Sequence, residues 1–351
     1  MTPPRGPLLA GAGSALLAAL SFGVTAPLIA LAGKSLGPLT TASLLYGGAA
    51  ASSLLPLGRS SDGAPLRRRH WWRLGAMAVL GGAVAPTLLA WGLQHVGAFA
   101  GSLLLNLEAA FTVLLALVVY HETIGKRVWA ALALMSLGGA ALALDVAGDA
   151  RFSALGALAV SGATLAWACD NTLSRALSQQ NPVLIVAFKG LLGGGVTAAL
   201  AYALGEPTPE RRAVLVLLAC GASGYGLSLR LYLRAQRLIG AARTGSIFAV
   251  APFIGAALGF ALGDRSHAAG AALSALFFGL GLWLHLTEGH RHHHEHEAID
   301  HDHLHRHDDG HHAHAHQPPF VGEHSHPHHH ERVEHDHEHA PDVHHEHRHS
   351  S

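Results

Sequence analysis

Along residues 1–286 apolar positions run together in blocks rather than alternating with polar ones, and short clusters of Gly, Pro and charge separate the blocks. Blocks of about 20 residues are the length that carries an α-helix across a bilayer. Read with a window of that size, the pattern predicts helices at 8–31, 39–57, 71–93, 98–120, 128–146, 153–173, 182–204, 213–234, 241–262 and 267–286. The separators are Lys34-Ser35-Leu36-Gly37-Pro38, Gly205-Glu206-Pro207 and Gly263-Asp264-Arg265. Past Glu288 the period changes to two, with His alternating with Asp and Glu. Five histidines precede that join (His70, His95, His121, His267, His285) and the rest of the 30 follow it.

The fold expected is an all-α integral membrane protein with ten transmembrane helices and a disordered C-terminal tail. The units are 1–148, 149–287 and 288–351. Small residues within the blocks suit helices that pack in lipid, where close backbone approach replaces the hydrophobic drive. The first block has the length of a span and no small-residue cleavage site before a soluble region, so it reads as a helix that stays. Only two cysteines occur, Cys169 and Cys220, both in apolar blocks, which excludes a disulfide framework.

Charge orients this bundle. Arg5, Arg59, Arg67, Arg68, Arg69, Arg73, Lys126, Arg127, Arg175, Arg234 and Arg237 fall on one side, against Lys34, Arg151, Arg211, Arg212 and Arg265 on the other. The richer side is expected in the cytoplasm. An even number of crossings in the cell (inner) membrane then leaves both termini cytoplasmic. The formal net charge of zero sums a mildly basic bundle and an acidic tail.

The halves echo each other. Gly97-Ala98 and Gly240-Ala241 each open an apolar run that ends at an acid, Glu122 or Asp264, and Pro38 and Pro182 each open a block. Five crossings per half is odd, so the halves must insert with opposite topology, the usual build of secondary transporters. Here the chain resembles the drug/metabolite transporter superfamily, specifically the EamA-type ten-span carriers, over about residues 8–286. The resemblance rests on Leu107-Glu108-Ala109-Ala110-Phe111 running to His121-Glu122-Thr123, on Ala251-Pro252-Phe253-Ile254-Gly255 running to Gly263-Asp264, and on the spacing of Pro182 to Lys189. It departs at Ala109, where proline is common, at His121, where glycine is common, at Leu45, where a basic residue often follows the proline, and at Asp264, one residue early. The resemblance implies two inverted five-helix repeats and carriage of a small solute. It does not carry a particular substrate with it.

An ionisable side chain at a helix centre costs about 2.5–3.5 kcal/mol on the insertion scale, so those retained are functional candidates. Glu108 is the first, with Asn106 two residues earlier and therefore on a different face. Lys189 lies within the seventh block, and Asp170 with Asn171 near the end of the sixth, so an Asp170–Lys189 contact is expected, with Lys189 reaching toward the interface. For each, the competing reading is an ion pair or hydrogen-bond network that only orders the bundle. Trp91, Trp129, Trp167 and Trp283 read mostly as interfacial anchors. Arg230, Arg234 and Arg237 read as a stripe facing water or lipid phosphate.

The tail has too little apolar content to bury, which predicts disorder. Imidazoles at His292, His294, His296, His301, His303, His305, His335, His337, His339, His344, His345 and His347 suit zinc, nickel, cobalt or copper, bound weakly at many overlapping sites. The plain alternative is a titrating, solubilising tail. No cofactor is required by anything else in the chain.

Three functions meet this pattern: a secondary carrier of a metabolite or xenobiotic with a metal-binding tail, a divalent-metal transporter that gathers ions with it, and a membrane-anchored metal buffer. No block carries metal ligands spaced one helical turn apart, which favours the carrier, and buried Glu108 and Lys189 disfavour an inert anchor. There is no phosphate-cradling Gly loop with a following Lys-Ser/Thr. Nor is there a nucleophile–base–acid set or a basic nucleic-acid surface, so the chain is read as no enzyme, with the bilayer and a small molecule as partners. The pattern carries no signature of oligomeric state.

Overall fold

The computed structural model describes residues 5–53, 68–120, 126–145, 154–174, 177, 180–239, 241–264, 268–286, 290–296, 299–305, 324–330 and 333–339. Among these are fourteen α-helices. In the first half they are α1 (Arg5–Gly23), α2 (Thr25–Ala32), α3 (Pro38–Ser53), α4 (Trp71–Val79), α5 (Ala85–Leu104), α6 (Leu107–Tyr120) and α7 (Lys126–Asp145). The second half holds α8 (Ala154–Ser174), α9 (Pro182–Ala203), α10 (Arg211–Cys220), α11 (Ser228–Ile239), α12 (Ala241–Phe248), α13 (Ala251–Ala261) and α14 (Ala268–Leu286). Among the described residues four continuous runs are long and apolar enough to cross a membrane: Leu8–Ala32, Trp71–Leu104, Pro182–Ala203 and Arg211–Gln236. Leu158, Leu191, Leu215 and Val118 face outward and exposed, as lipid-facing side chains would.

Several expected helices are interrupted, and the sequence supplies the cause. Pro27, Pro86 and Pro252 have no N–H to return to the carbonyl four residues back, which frees Gly23, Gly82 and Phe248. Beside them the chain breaks between α1 and α2, widens into a π-helical turn at Leu80–Val84 between α4 and α5, and breaks between α12 and α13. A second π-helical turn, Gly221–Leu227, joins α10 to α11. Between α5 and α6 no proline acts. There both the backbone N–H and the side-chain amide of Asn106 donate to the Leu103 carbonyl, at 3.1 and 3.0 Å. Interrupted helices at matching places in two halves are the usual pointer to a transporter's site.

Packing repeats across the halves. α1 lies along α11 as α5 lies along α8, and α3 meets the turn 221–227 as α9 meets the turn 80–84. α1 and α2 touch α13 as α8 touches α6, while α3 pairs with α9 and α7 with α14. Exchanging each first-half helix for its second-half counterpart reproduces these contacts. The exchange is not exact. The part of α5 past Gly97, whose counterpart is α12, packs on α13, whereas α12 and α6 share at most a marginal contact among the described residues; α2 likewise packs on α5 while α8 and α11 are at most in marginal contact. The bundle is therefore closed between α5 and α13 and splayed between α6 and α12.

Close approach needs glycine at two faces of α3. A Cβ on Gly190 would stand 2.7 Å from the Tyr46 carbonyl oxygen, and one on Gly221 would overlap the Leu45 carbonyl outright. A smaller apolar group, Leu74, Met77, Leu177 and Ile185, closes the end where α4 and α9 begin.

The described residues of the tail form four strands, β1 (His290–His296), β2 (Ile299–His305), β3 (His324–His330) and β4 (Val333–His339). β1 pairs antiparallel with β4 and β2 with β3, setting His292 opposite His337, His294 opposite His335, and His303 opposite His326. Of the histidines expected to bind metal, His344, His345 and His347 lie outside the described residues.

Candidate functional site

Midway along the bundle the interruptions converge. Glu108 sits in the first turn of α6, just past the break at Asn106, and is half-buried. Its Oε1 accepts a hydrogen bond from Asn171 Nδ2 of α8 at 2.7 Å. One residue back on α8, Asp170 is buried and takes Lys189 Nζ of α9 on Oδ2 at 2.5 Å. Two carboxyl groups and one ammonium thus meet, one carboxyl from the first half and the rest from the second. Asp170 and Lys189 both lie within electrostatic reach of Glu108.

Not every polar group is matched. Asp170 Oδ1 is buried with no hydrogen-bond partner among the described residues. A buried carboxylate oxygen left unpaired costs on the order of 1–3 kcal/mol, a demand that water or a bound solute would meet. The expected Asp170–Lys189 contact is made, with the Lys189 side chain buried against Asp170.

The π-helical turn at 80–84 supplies a carbonyl that no helix bond uses. Gly81 O accepts from Trp167 Nε1 at 3.2 Å and from the Tyr46 hydroxyl. Trp167 is consequently a buried structural donor and not the anchor its position suggested, while Trp129 and Trp283 are exposed as anchors should be. Around these groups runs one connected set of rings. Phe22 lies 6.2 Å from Trp167, 5.7 Å from Tyr225 and 5.6 Å from Phe248, Tyr46 lies 5.6 Å from Tyr225, and Tyr232 lies 5.0 Å from Phe248. The rings come from α1, α3, α8, the turn 221–227, α11 and α12, so both halves build the wall.

Of the five candidate residues, the structure brings Glu108, Asp170, Asn171 and Lys189 together. Asn106 stands apart, with its amide committed to Leu103. Arg230 does not face solvent in a stripe with Arg234; its Nη1 donates to the Ser52 carbonyl at 3.0 Å. Sequence reasoning missed the ring wall. Its signal was present as aromatics next to helix breaks, but the breaks themselves were not read. Among residues whose side chains are described, no group of three or more His, Cys, Asp or Glu is placed to hold a metal ion.

Apolar helices in two matching sets, broken where they meet a buried charged cluster, define a multi-pass membrane transporter. The EamA-like transporter family model matches residues 9–144 and again 154–287, and the chain belongs to that family. An uncharacterized transporter of Methanothermobacter thermautotrophicus (strain Delta H) is 29% identical over 205 residues. That match covers 56% of this chain and 59% of the relative, so the chain spans under two thirds of that protein. A solved crystal structure aligns with 78% of this chain and 95% of its own at a TM-score of 0.56 and 17% identity, a likeness of fold alone.

Proposed function

We propose that the chain is a secondary transporter that moves a small metabolite or xenobiotic by alternating access. In this reading it crosses the cell (inner) membrane ten times as two inverted repeats, 1–148 and 149–287, with both termini in the cytoplasm. The observation that carries it is the Glu108–Asn171 and Asp170–Lys189 cluster, assembled from both halves at the helix breaks. With two carboxyls sharing one ammonium, one carboxyl has no cation of its own. It suits a proton or an amine-bearing solute, and a site that holds one or the other in turn couples their movement. The packing supports a cycle as well: the halves meet at α5 and α13 and part at α6 and α12.

The tail, 288–351, is in this reading an accessory that binds zinc, nickel, cobalt or copper on the cytoplasmic face. Its imidazoles favour a second reading, a divalent-metal transporter that gathers ions there. Both are tested in proteoliposomes carrying the full chain, its Glu108→Gln variant and a chain lacking 289–351, with amino acids, nucleobases and divalent metals offered under an imposed pH gradient. The carrier reading expects solute flux that needs Glu108 and survives truncation. Metal flux that disappears with the tail would put the second reading first.

A further inference from the structure

α9 and α13 end in the same way, and the likeness extends beyond the backbone. Each closes on a glycine in the left-handed region, Gly205 at φ 67° and Gly263 at φ 98°. Glu206 N–H then returns to the Ala201 carbonyl and Asp264 N–H to the Gly259 carbonyl, the six-to-one bond of a Schellman close. An acid follows the glycine in both cases, and the turn throws its carboxylate onto the start of a helix in the other half. Glu206 accepts Leu39 N–H at 3.1 Å, Thr40 N–H at 2.7 Å and the Thr40 hydroxyl at 2.7 Å, at the first turn of α3. Asp264 Oδ2 accepts Phe99 N–H at 2.9 Å, where α5 resumes after Gly97.

The receiving helices are matched to this. Each begins after a glycine, Gly37 or Gly97, which has no side chain with which to cap its own helix. A Cβ on Gly37 would overlap the Glu206 carboxyl, and one on Gly97 would stand 2.6 Å from Asp264 Oδ2. Both bonds join the halves at the same end of the bundle, where Gln94 Nε2 also holds the Gly33 and Leu36 carbonyls at 2.7 and 2.9 Å. At the opposite end α9 is capped by its own Asn181, whose Oδ1 accepts Val183 N–H at 2.9 Å, and α6 and α12 stand apart.

We propose that Glu206 and Asp264 are positioning residues of the transport cycle, two locks that each hold one part of the Gly37 end shut, so that this end opens fully only when both release. A helix start offers unpaired N–H groups and a partial positive charge, so a carboxylate from across the repeat boundary fastens it with charge-assisted bonds. The inference rests on the alternating-access reading, but its test measures distance and not flux, so each can fail without the other.

The experiment places spin labels at Ser35→Cys with Thr208→Cys, and separately at Ser35→Cys with Leu262→Cys. The full chain is used, with Cys169 and Cys220 replaced by Ala, in lipid nanodiscs. Glu206→Gln with Asp264→Asn should add a longer-distance component to both pairs, while Glu206→Asp with Asp264 retained should keep the short one. Gly37→Ala, which keeps the acid and evicts its carboxylate, should open the first pair alone. If the double variant does not fold, Gly37→Ala carries the test by itself. Unchanged distances in folded variants would overturn the proposal, and so would a fall in melting temperature without widening, which is the behaviour of plain helix caps.

Discussion

At the scale of single residues the Asp170–Lys189 pair has the most at stake. Removing one partner leaves the other buried and unpaired, at a cost of about 3–5 kcal/mol, whereas replacing both with apolar groups is often close to neutral. Asp170→Leu should therefore lower the melting temperature in detergent sharply, and Asp170→Leu with Lys189→Met should recover most of it. Both should fail to transport. Recovery of stability without recovery of flux separates the site from the scaffold. Glu108→Gln keeps the hydrogen bond from Asn171 and removes only the charge. It should leave the stability within about 1 kcal/mol of the parent, the net worth of a typical hydrogen bond, and abolish the dependence of flux on the pH gradient.

At the scale of elements the interruptions decide what the helices can do. The Gly81 carbonyl is held by Tyr46 and Trp167 from two different helices. Tyr46→Phe and Trp167→Phe should each cost about 1 kcal/mol. Because each donor can partly stand in for the other, the double variant should cost more than the sum, and a double-mutant cycle on thermal melts measures the excess. The α7–α14 pair rests on small residues instead. A Cβ on Gly281 would lie 2.8 Å from Met135 Cγ and 2.9 Å from the Ala131 carbonyl, so Gly281→Val should loosen that pair and leave the Glu108 cluster in place. Cysteine cross-linking between α7 and α14 should weaken, while proton coupling persists.

These elements also show how far the chain could be read before folding. Long apolar blocks, prolines at helix starts and charges out of place in lipid are local signals, and they located Glu108, Asp170 and Lys189 together with most helix positions. The partnerships were not local. Asn171 was a candidate only as a neighbour of Asp170, with no partner named for it, yet it is the residue that reaches Glu108, because α8 turns two adjacent side chains toward two different helices. Glu206 and Asp264 read as loop punctuation, since nothing near them in sequence says which helix start they will meet. Trp167 read as an anchor because its acceptor, Gly81, becomes available only through a π-helical turn.

At the scale of the whole molecule the bundle and the tail should separate cleanly. Deleting 289–351 should remove most zinc or nickel binding by calorimetry at pH ~7.5 and leave the bundle folded. Imidazole coordinates metal only when neutral, so binding in the full chain should weaken as pH falls through ~6.5 and return on back-titration. Retention of the same affinity at pH ~5 would point to the tail's carboxylates as the ligands that matter.

The two locks also bear on how the protein is made. Thr40 and Glu206 are 166 residues apart, and Phe99 and Asp264 are 165 apart. A ribosome adding roughly 5–20 residues per second needs on the order of ten seconds or more to cover that interval. Throughout it the nascent first half sits in the bilayer with the starts of α3 and the resumed α5 uncapped. Every newborn chain therefore passes through a window in which those helix ends can recruit the wrong carboxylate, including one from a neighbouring copy on the same polysome. The wait falls on the half that carries Glu108, so a stall late in translation would do its damage to residues already synthesised.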